Sequence, residues 1–391
     1  MQLTFDADVE AFRTEFVAFL DEHLPPESET AERPRTCSHI PEWARRWQRL
    51  QFDHGWLLPG NPPEYGGRNA SVVQQYVHAE ELSRRRIYHS FNPQGVGIVA
   101  ASILSFGTEE QKQRWAVPIL RAEMTASVGM SEPSSGSDLA SLRTRAVDDG
   151  DDFVVNGQKV WTSGAHDADV LLTLVRTDPD VPKHKGISVL LIPTESEGLV
   201  RRPFATICHH DDLDFNEVFF TDVRVPKENL VGPLNAGWKV ANGALGHERT
   251  MMWIQFADRL HNLIRDFRPV TELDRDRYAT LVMDRQALQL IGSAAIAGAA
   301  RGEDDLGAIA VLKVLGSEAE REASEYALAA MGSDGLLHPA TTASYAPYDL
   351  DYLSASWFER YARSFGGTIA GGTSEVQRNI IATQVLGLPR S

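Results

Sequence analysis

The chain has 391 residues and a formal net charge of −16, from 38 Lys and Arg against 54 Asp and Glu. That length exceeds one ordinary core and predicts two or three domains. The acidic balance argues against nucleic acid or anionic membrane as partners, because phosphates need surplus cations. Two cysteines, Cys37 and Cys208, are too few for a disulfide framework or a four-thiolate zinc site and are expected to be reduced thiols. No apolar run approaches the roughly 20 residues of a membrane span. Residues 1–10 carry acidic groups and no basic one, unlike a secretory or transit leader, so a soluble, cytoplasmic protein is expected.

Residues 1–120 read as a helical domain. Val9, Phe12, Phe16, Val17 and Leu20 recur at helical spacing, and Gln74–Arg84 has the same character. Pro59 to Gly67 is a loop rich in Pro and Gly. Thr108 with Gln111 predicts a capped helix start. Residues 121–234 read as a middle β domain. Strands are expected at Thr125–Val128, Val170–Val175, Ile187–Ile192 and Val218–Val225, and Asn156-Gly157 between apolar runs predicts a hairpin turn. Residues 235–391 return to helix as a C-terminal bundle. Arg249, Met252, Trp253, Phe256, Leu260, Leu263 and Phe267 share one face, followed by helices over 281–298, 308–330 and 376–385. A β domain flanked by helical ones leaves clefts at its junctions, where ligands bind.

Three motifs are suited to chemistry. The loop Met130 to Asp138 is dense in hydroxyls and backbone donors, but has neither a Walker lysine nor a GxGxxG opening a helix. Trp161-Thr162-Ser163-Gly164 sets a stacking ring beside hydroxyls, unless the ring is simply core. Gly371-Gly372-Thr373-Ser374-Glu375 permits close backbone approach to a ligand, with Glu375 expected to close a capping box. His209-His210-Asp211-Asp212 has metal-ligand residue types, but adjacent loop residues seldom converge on one ion, and it is read as a solvated turn.

These stretches together resemble the acyl-CoA dehydrogenase family. The matching segments are Gly107 to Gln111, Ser131-Glu132-Pro133 with Gly136-Ser137-Asp138, Asn156 to Lys159 with Trp161, Asn216 to Pro226, and Gly371 to Arg378, in the family's order. The resemblance implies an α+β multidomain fold: an N-terminal helical domain, a middle β-barrel domain and a C-terminal helical bundle. It implies FAD-dependent α,β-dehydrogenation of an acyl-CoA thioester, with electrons passed to an electron-transfer flavoprotein. FAD contacts are implied for Met130, Ser131, Gly136, Ser137, Trp161, Thr162, Ser163, Thr373, Ser374 and Glu375. Substrate contacts are implied for Ser137, Gly246, His247, Arg249, Gly371 and Gly372, the Gly371 N–H serving the thioester carbonyl.

Many family members carry the catalytic glutamate in the glycine loop, where this chain has Gly371. A second subgroup, represented by the isovaleryl and long-chain enzymes, carries it on the first long C-terminal helix. The sequence Gly246-His247-Glu248-Arg249 matches that subgroup, so Glu248 is the implied base. Met251, Met252 and Trp253 are read as pocket lining or bundle core. Three departures stand out. Ile264 to Pro269 lacks the family's Arg-x-x-Phe-Gly motif, Ala329 to Gly335 departs from Gln-x-x-Gly-Gly-x-Gly, and Asn61-Pro62 replaces a Trp-Pro pair. Both bundle motifs serve FAD across a subunit interface. The family's C-terminal bundles pack together, so the resemblance implies a homodimer or homotetramer; the altered motifs leave a heteromeric assembly or half-site subunit as alternatives, and an acyl-CoA oxidase is a further one.

Overall fold

The structure is a computed structural model and describes residues 5–32, 34–87, 90–207, 213–303, 306–336 and 357–389. Within the long helix that follows the sheet, the side chains of 244–252, 255, 262 and 266 lie outside this description.

Apolar spacing and caps set the N-terminal helices. In α1 (Ala7–His23), Val9, Phe12, Phe16, Phe19 and Leu20 turn inward. They meet Trp43 and Trp47 of α2 (Glu42–Asp53) and Trp56 in one aromatic core. Ser71 caps α3 (Val72–Arg84) in a full capping box with Gln74. A π-type turn, Gly95–Ala100, runs into α4 (Ala101–Phe106). Thr108 then caps α5 (Glu109–Gln111) with Gln111 returning the bond, as the sequence predicts, and α6 (Val117–Leu120) follows.

Seven strands form one curled sheet: β1 (Ala126–Gly129), β2 (Arg145–Asp149), β3 (Asp152–Lys159), β4 (Val170–Arg176), β5 (Ile187–Pro193), β6 (Leu199–Phe204) and β7 (Phe215–Pro226). Their order is β1-β4-β2-β3-β7-β6, with β5 on β4. β4 carries β1 in parallel along Val170–Thr173 and touches β2 only at Arg176. The sheet bends where one strand hands over to the next. Strands β4 and β5 are buried on both faces, as their unbroken Val, Ile and Leu runs imply. Alternation divides them between two cores. Leu171 and Val175 face Val155, Val218 and Val223 inside the curl, while Val170, Leu172 and Leu174 face Val96, Ile103 and Val240 from the helices.

The Asn156-Gly157 hairpin is corrected. β3 runs unbroken through both residues, and the β2–β3 turn lies at Gly150 and Asp151. Non-local pairing overrides the local signal because β3 is laddered to β7 as well as β2. The register against β7 shifts between Val155 and Gly157, where φ is +151° at Gly157. A Cβ at Gly157 would fall 2.6 Å from Thr144 Oγ1, so the glycine serves a bulge rather than a turn.

The bundle comprises α7 (Gly237–Asp266), α8 (Glu272–Ala300), α9 (Leu306–Met331), α10 (Trp357–Ile369) and α11 (Ser374–Ile380). Trp253, Phe256, Leu260 and Leu263 of α7 are buried against Leu281 and Leu288 of α8 and Leu312 of α9. The first turns of α7 also pack on β5 and on residues 95–106.

Candidate active site

Strand β1 delivers the loop that starts at Met130. Met130 joins the core that holds Val240 and Ala241 of α7, so this loop abuts the start of the long helix. Its shape comes from a buried ion pair. Lys159 Nζ donates to Glu132 Oε1 at 2.9 Å and to the Met130 carbonyl at 3.0 Å. The Glu132 carboxylate also accepts from the backbone N–H of Arg143 at 2.7 Å and Thr144 at 2.8 Å. Burial pulls the Lys159 ammonium down to about 8 although Glu132 pulls it up. The Glu132 carboxyl is held below its usual range: burial pushes it up, and Lys159 and the Thr144 N–H outweigh that. Farther along, Gly136 and Ser137 are exposed, and a Cβ at Gly136 would meet nothing within 4 Å. Asp138 is anchored by Lys183 at 2.7 Å and Ser141 at 2.5 Å.

The end of β3 lies beside that loop, since the Val160 N–H donates to the Ser131 carbonyl at 2.9 Å. Trp161 follows with φ of +61°, a conformation that costs a non-glycine residue about 1–3 kcal/mol. Trp161 is 59% exposed and its ring stands edge-on to Phe204 and Phe215, which excludes the reading of Trp161 as core. Thr162 and Ser163 turn inward. Asn216 clamps them through paired backbone bonds with Thr162 and a 3.1 Å bond from its side chain to the Thr162 carbonyl. The Asp214 carbonyl accepts from Gly164, and its carboxylate accepts from the Cys37 N–H at 2.8 Å. Asn92 bonds the Cys37 carbonyl and both polar groups of Ala126, tying the N-terminal helices to β1. Thr162 Oγ1 is buried with no partner among the described residues.

The third motif stands on the bundle. Gly371 and Gly372 have φ of +65° and +92°, and Gln377 Nε2 donates to the Gly371 carbonyl at 3.0 Å. Thr373 caps α11, its hydroxyl accepting from the Val376 N–H at 3.2 Å. The capping box expected of Glu375 is corrected: the third helical position is Val376, which has no acceptor to return. Glu375 is exposed instead, its carboxyl held below the usual range by its own backbone N–H and the Thr373 hydroxyl. Ser374 Oγ is buried with no partner among the described residues. The structure thus joins the first two motifs directly, and seats the third on α9, against which α11 packs.

Gly246, His247, Glu248 and Arg249 occupy α7 as backbone, and their side chains lie outside the described residues. Cys208 and His209 to Asp212 lie wholly outside them. Cys37 is buried, and burial beside Asp214 raises its thiol well above the usual value. Among the described residues no helix is long and apolar enough to cross a membrane.

Models of the acyl-CoA dehydrogenase N-terminal, middle and C-terminal domains match residues 6–123, 127–223 and 235–386. The chain belongs to the acyl-CoA dehydrogenase family. It is 35% identical over 358 residues to acyl-CoA dehydrogenase FadE26 of Mycobacterium tuberculosis, covering 86% of each chain. It is 33% identical over 397 aligned positions to acyl-CoA dehydrogenase IpdE1 of the same organism, covering 98% of each. Among solved structures it is similar to the Tcur3481-Tcur3483 steroid ACAD, with TM-score 0.80, 30% identity and 100% of each chain covered. The ChsE4-ChsE5 complex from Mycobacterium tuberculosis gives TM-score 0.78, 30% identity and 100% coverage of each.

For an acyl-CoA dehydrogenase, the residues that sequence reasoning left without a role are Glu132, Lys159, Asn216 and Asn92. Lys159 carried a readable signal, a lone cation closing an apolar strand. Asn92 carried none, because its partners Cys37 and Ala126 are remote in the chain.

Proposed function

We propose that this acyl-CoA dehydrogenase oxidises an acyl-CoA thioester to its trans-2-enoyl-CoA with Glu248 as base and FAD as cofactor. The supporting observation is the locked junction of the Met130 loop with Trp161–Ser163, which leaves Trp161 exposed beside a buried hydroxyl that has no partner among the described residues. Those residues, with Thr373 and Ser374 on the bundle, suit a flavin: a ring to stack on and donors for its polar edge. FAD, when bound, accepts the β-hydrogen with its electron pair.

The Glu248 carboxylate removes the α-proton, and the Gly371 N–H stabilises charge on the thioester carbonyl. A Cβ at Gly371 would meet no described residue within 4 Å. Ser137, Gly246, His247, Arg249 and Gly372 line the substrate in this reading. Domain boundaries near 120 and 234 accompany it, and an electron-transfer flavoprotein is the electron acceptor. The steroid ACAD relatives favour a bulky polycyclic acyl group.

A half-site reading has its own support. The two bundle motifs that serve FAD across an interface are altered in this chain, and both structural relatives above are named as two-component proteins. A non-identical partner subunit then completes the flavin site.

The test is an absorbance spectrum of the purified chain, alone and with FAD, followed by anaerobic bleaching with straight-chain and steroid-side-chain acyl-CoA thioesters. Glu248→Gln should keep flavin and thioester binding and lose at least about 10²-fold in turnover. Wild-type turnover in that variant would remove Glu248 as base. A chain that never retains FAD alone but does so beside a partner supports the half-site reading.

A further inference from the structure

A cleft of 460 Å³ opens between α3, α7 and α8. Trp253 of α7 stands in its wall with both ring faces covered. One face stacks on Tyr76 at 6.0 Å and 17°. The other presses on Gly292 of α8, where a Cβ would fall 2.2 Å from the indole. Only the edge of the ring remains to meet a ligand, and its Nε1 is buried with no hydrogen-bond partner among the described residues. Arg285, across the cleft on α8, also has a buried Nε with no partner among the described residues. Two orphaned buried donors lining one cavity are rare, because each forfeits its hydration with nothing in return.

Cations outnumber carboxylates around them. Arg84, Arg86, Arg265 and Arg285 line the cleft against Glu80 and Asp258. Glu80 is already engaged by the Tyr76 hydroxyl at 3.2 Å and by Arg13 at 3.4 Å. Arg84 is drawn to Glu81 at 2.5 Å. Burial raises the Asp258 carboxyl to about 6, with Arg285 and Arg86 opposing and Glu80 reinforcing the rise. Positions 254, 258, 261 and 265 line the cleft from one face of α7. At 3.6 residues per turn that face lies roughly 110° around the helix from position 248. The cleft therefore opens from a different side of α7 than the proposed base.

We propose that this cleft is a second ligand site, separate from the thioester site, for a small organic monocarboxylate whose carboxylate accepts from Trp253 Nε1 and Arg285 Nε while its apolar body lies along Ile254 and Ala257. A singly charged anion fits better than a phosphate dianion because two carboxylates already stand at the rim.

The experiment is calorimetric titration of the full chain with 2-naphthoate, with inorganic phosphate as a second probe. Saturable binding of one naphthoate per chain is expected, unaltered by Glu248→Gln or by saturating acyl-CoA. Arg285→Lys keeps the charge but removes the Nε–H, and Trp253→Phe removes the indole N–H. Each should weaken binding about tenfold. Thermal melts identify any variant that fails to fold, and Arg285→Gln then supplies a second removal of the same donor. The proposal is overturned by any of four results: no saturable heat at millimolar naphthoate, wild-type affinity in the folded donor variants, phosphate binding as tightly as naphthoate, or displacement by acyl-CoA.

Discussion

Lys159 is wholly buried, and it is tolerated because Glu132, itself only 5% exposed, stands 2.9 Å away. Removing one partner strands the other charge. Lys159→Met should therefore cost about 3–5 kcal/mol in urea unfolding, while Glu132→Gln with Lys159→Met should recover much of that loss. Equal losses in the single and double variants would show that a stranded Glu132 carries no penalty. Thr162 presents the opposite case. Its hydroxyl is buried with no partner among the described residues, so Thr162→Val should leave the stability of the flavin-free chain within about 1 kcal/mol or raise it. If the hydroxyl serves the flavin, the same change should raise the FAD dissociation constant roughly five- to tenfold in a fluorescence titration. Unchanged affinity would remove Thr162 from the cofactor contacts.

At the scale of elements, α7 is asked to serve two surroundings. Its first turns pack on β5 and α4, and its later turns pack on α3, α8 and α9. Asp258 lies in the second region, half-buried, its carboxyl raised to about 6 by burial. A folded-state value above the unfolded one means the native state holds the proton more tightly. That contribution is present at acid pH and is lost as pH rises through about 6. Asp258→Asn should thus match wild type near pH 4 and exceed it near pH 8. After a discount for partial exposure the gain is about 1–2 kcal/mol. Melting curves at the two pH values check this, and a gain at acid pH alone would reverse the sign. β3 shows the same dependence on surroundings: Asn156-Gly157 has turn chemistry, yet strands on both sides hold it extended.

For the whole molecule, α8 leaves Leu273, Met283 and Leu290 exposed at 72%, 67% and 48%. Apolar side chains displayed along one helix imply a covering surface. Light scattering at micromolar concentration should report a dimer or a dimer of dimers, and Met283→Glu with Leu290→Glu should lower the assembly state. A wild-type chain that stays monomeric would contradict this, and addition of a non-identical partner then becomes the route to a complete flavin site.

Much of this organisation follows from the sequence alone. Helical spacing at Val9 to Leu20, the Thr108–Gln111 cap and the apolar runs of β4 and β5 act over a few residues, so their outcome is local. The motif order around Ser131, Trp161 and Gly371 likewise survives translation into a fold. Tertiary structure decided what depends on partners remote in the chain. It divided β4 between two cores, turned Asn156-Gly157 into a bulge, paired Glu132 with Lys159, and brought Trp253 and Arg285 to one cleft. Each of those outcomes rests on burial or on a hydrogen bond between distant segments, which no short window of sequence contains.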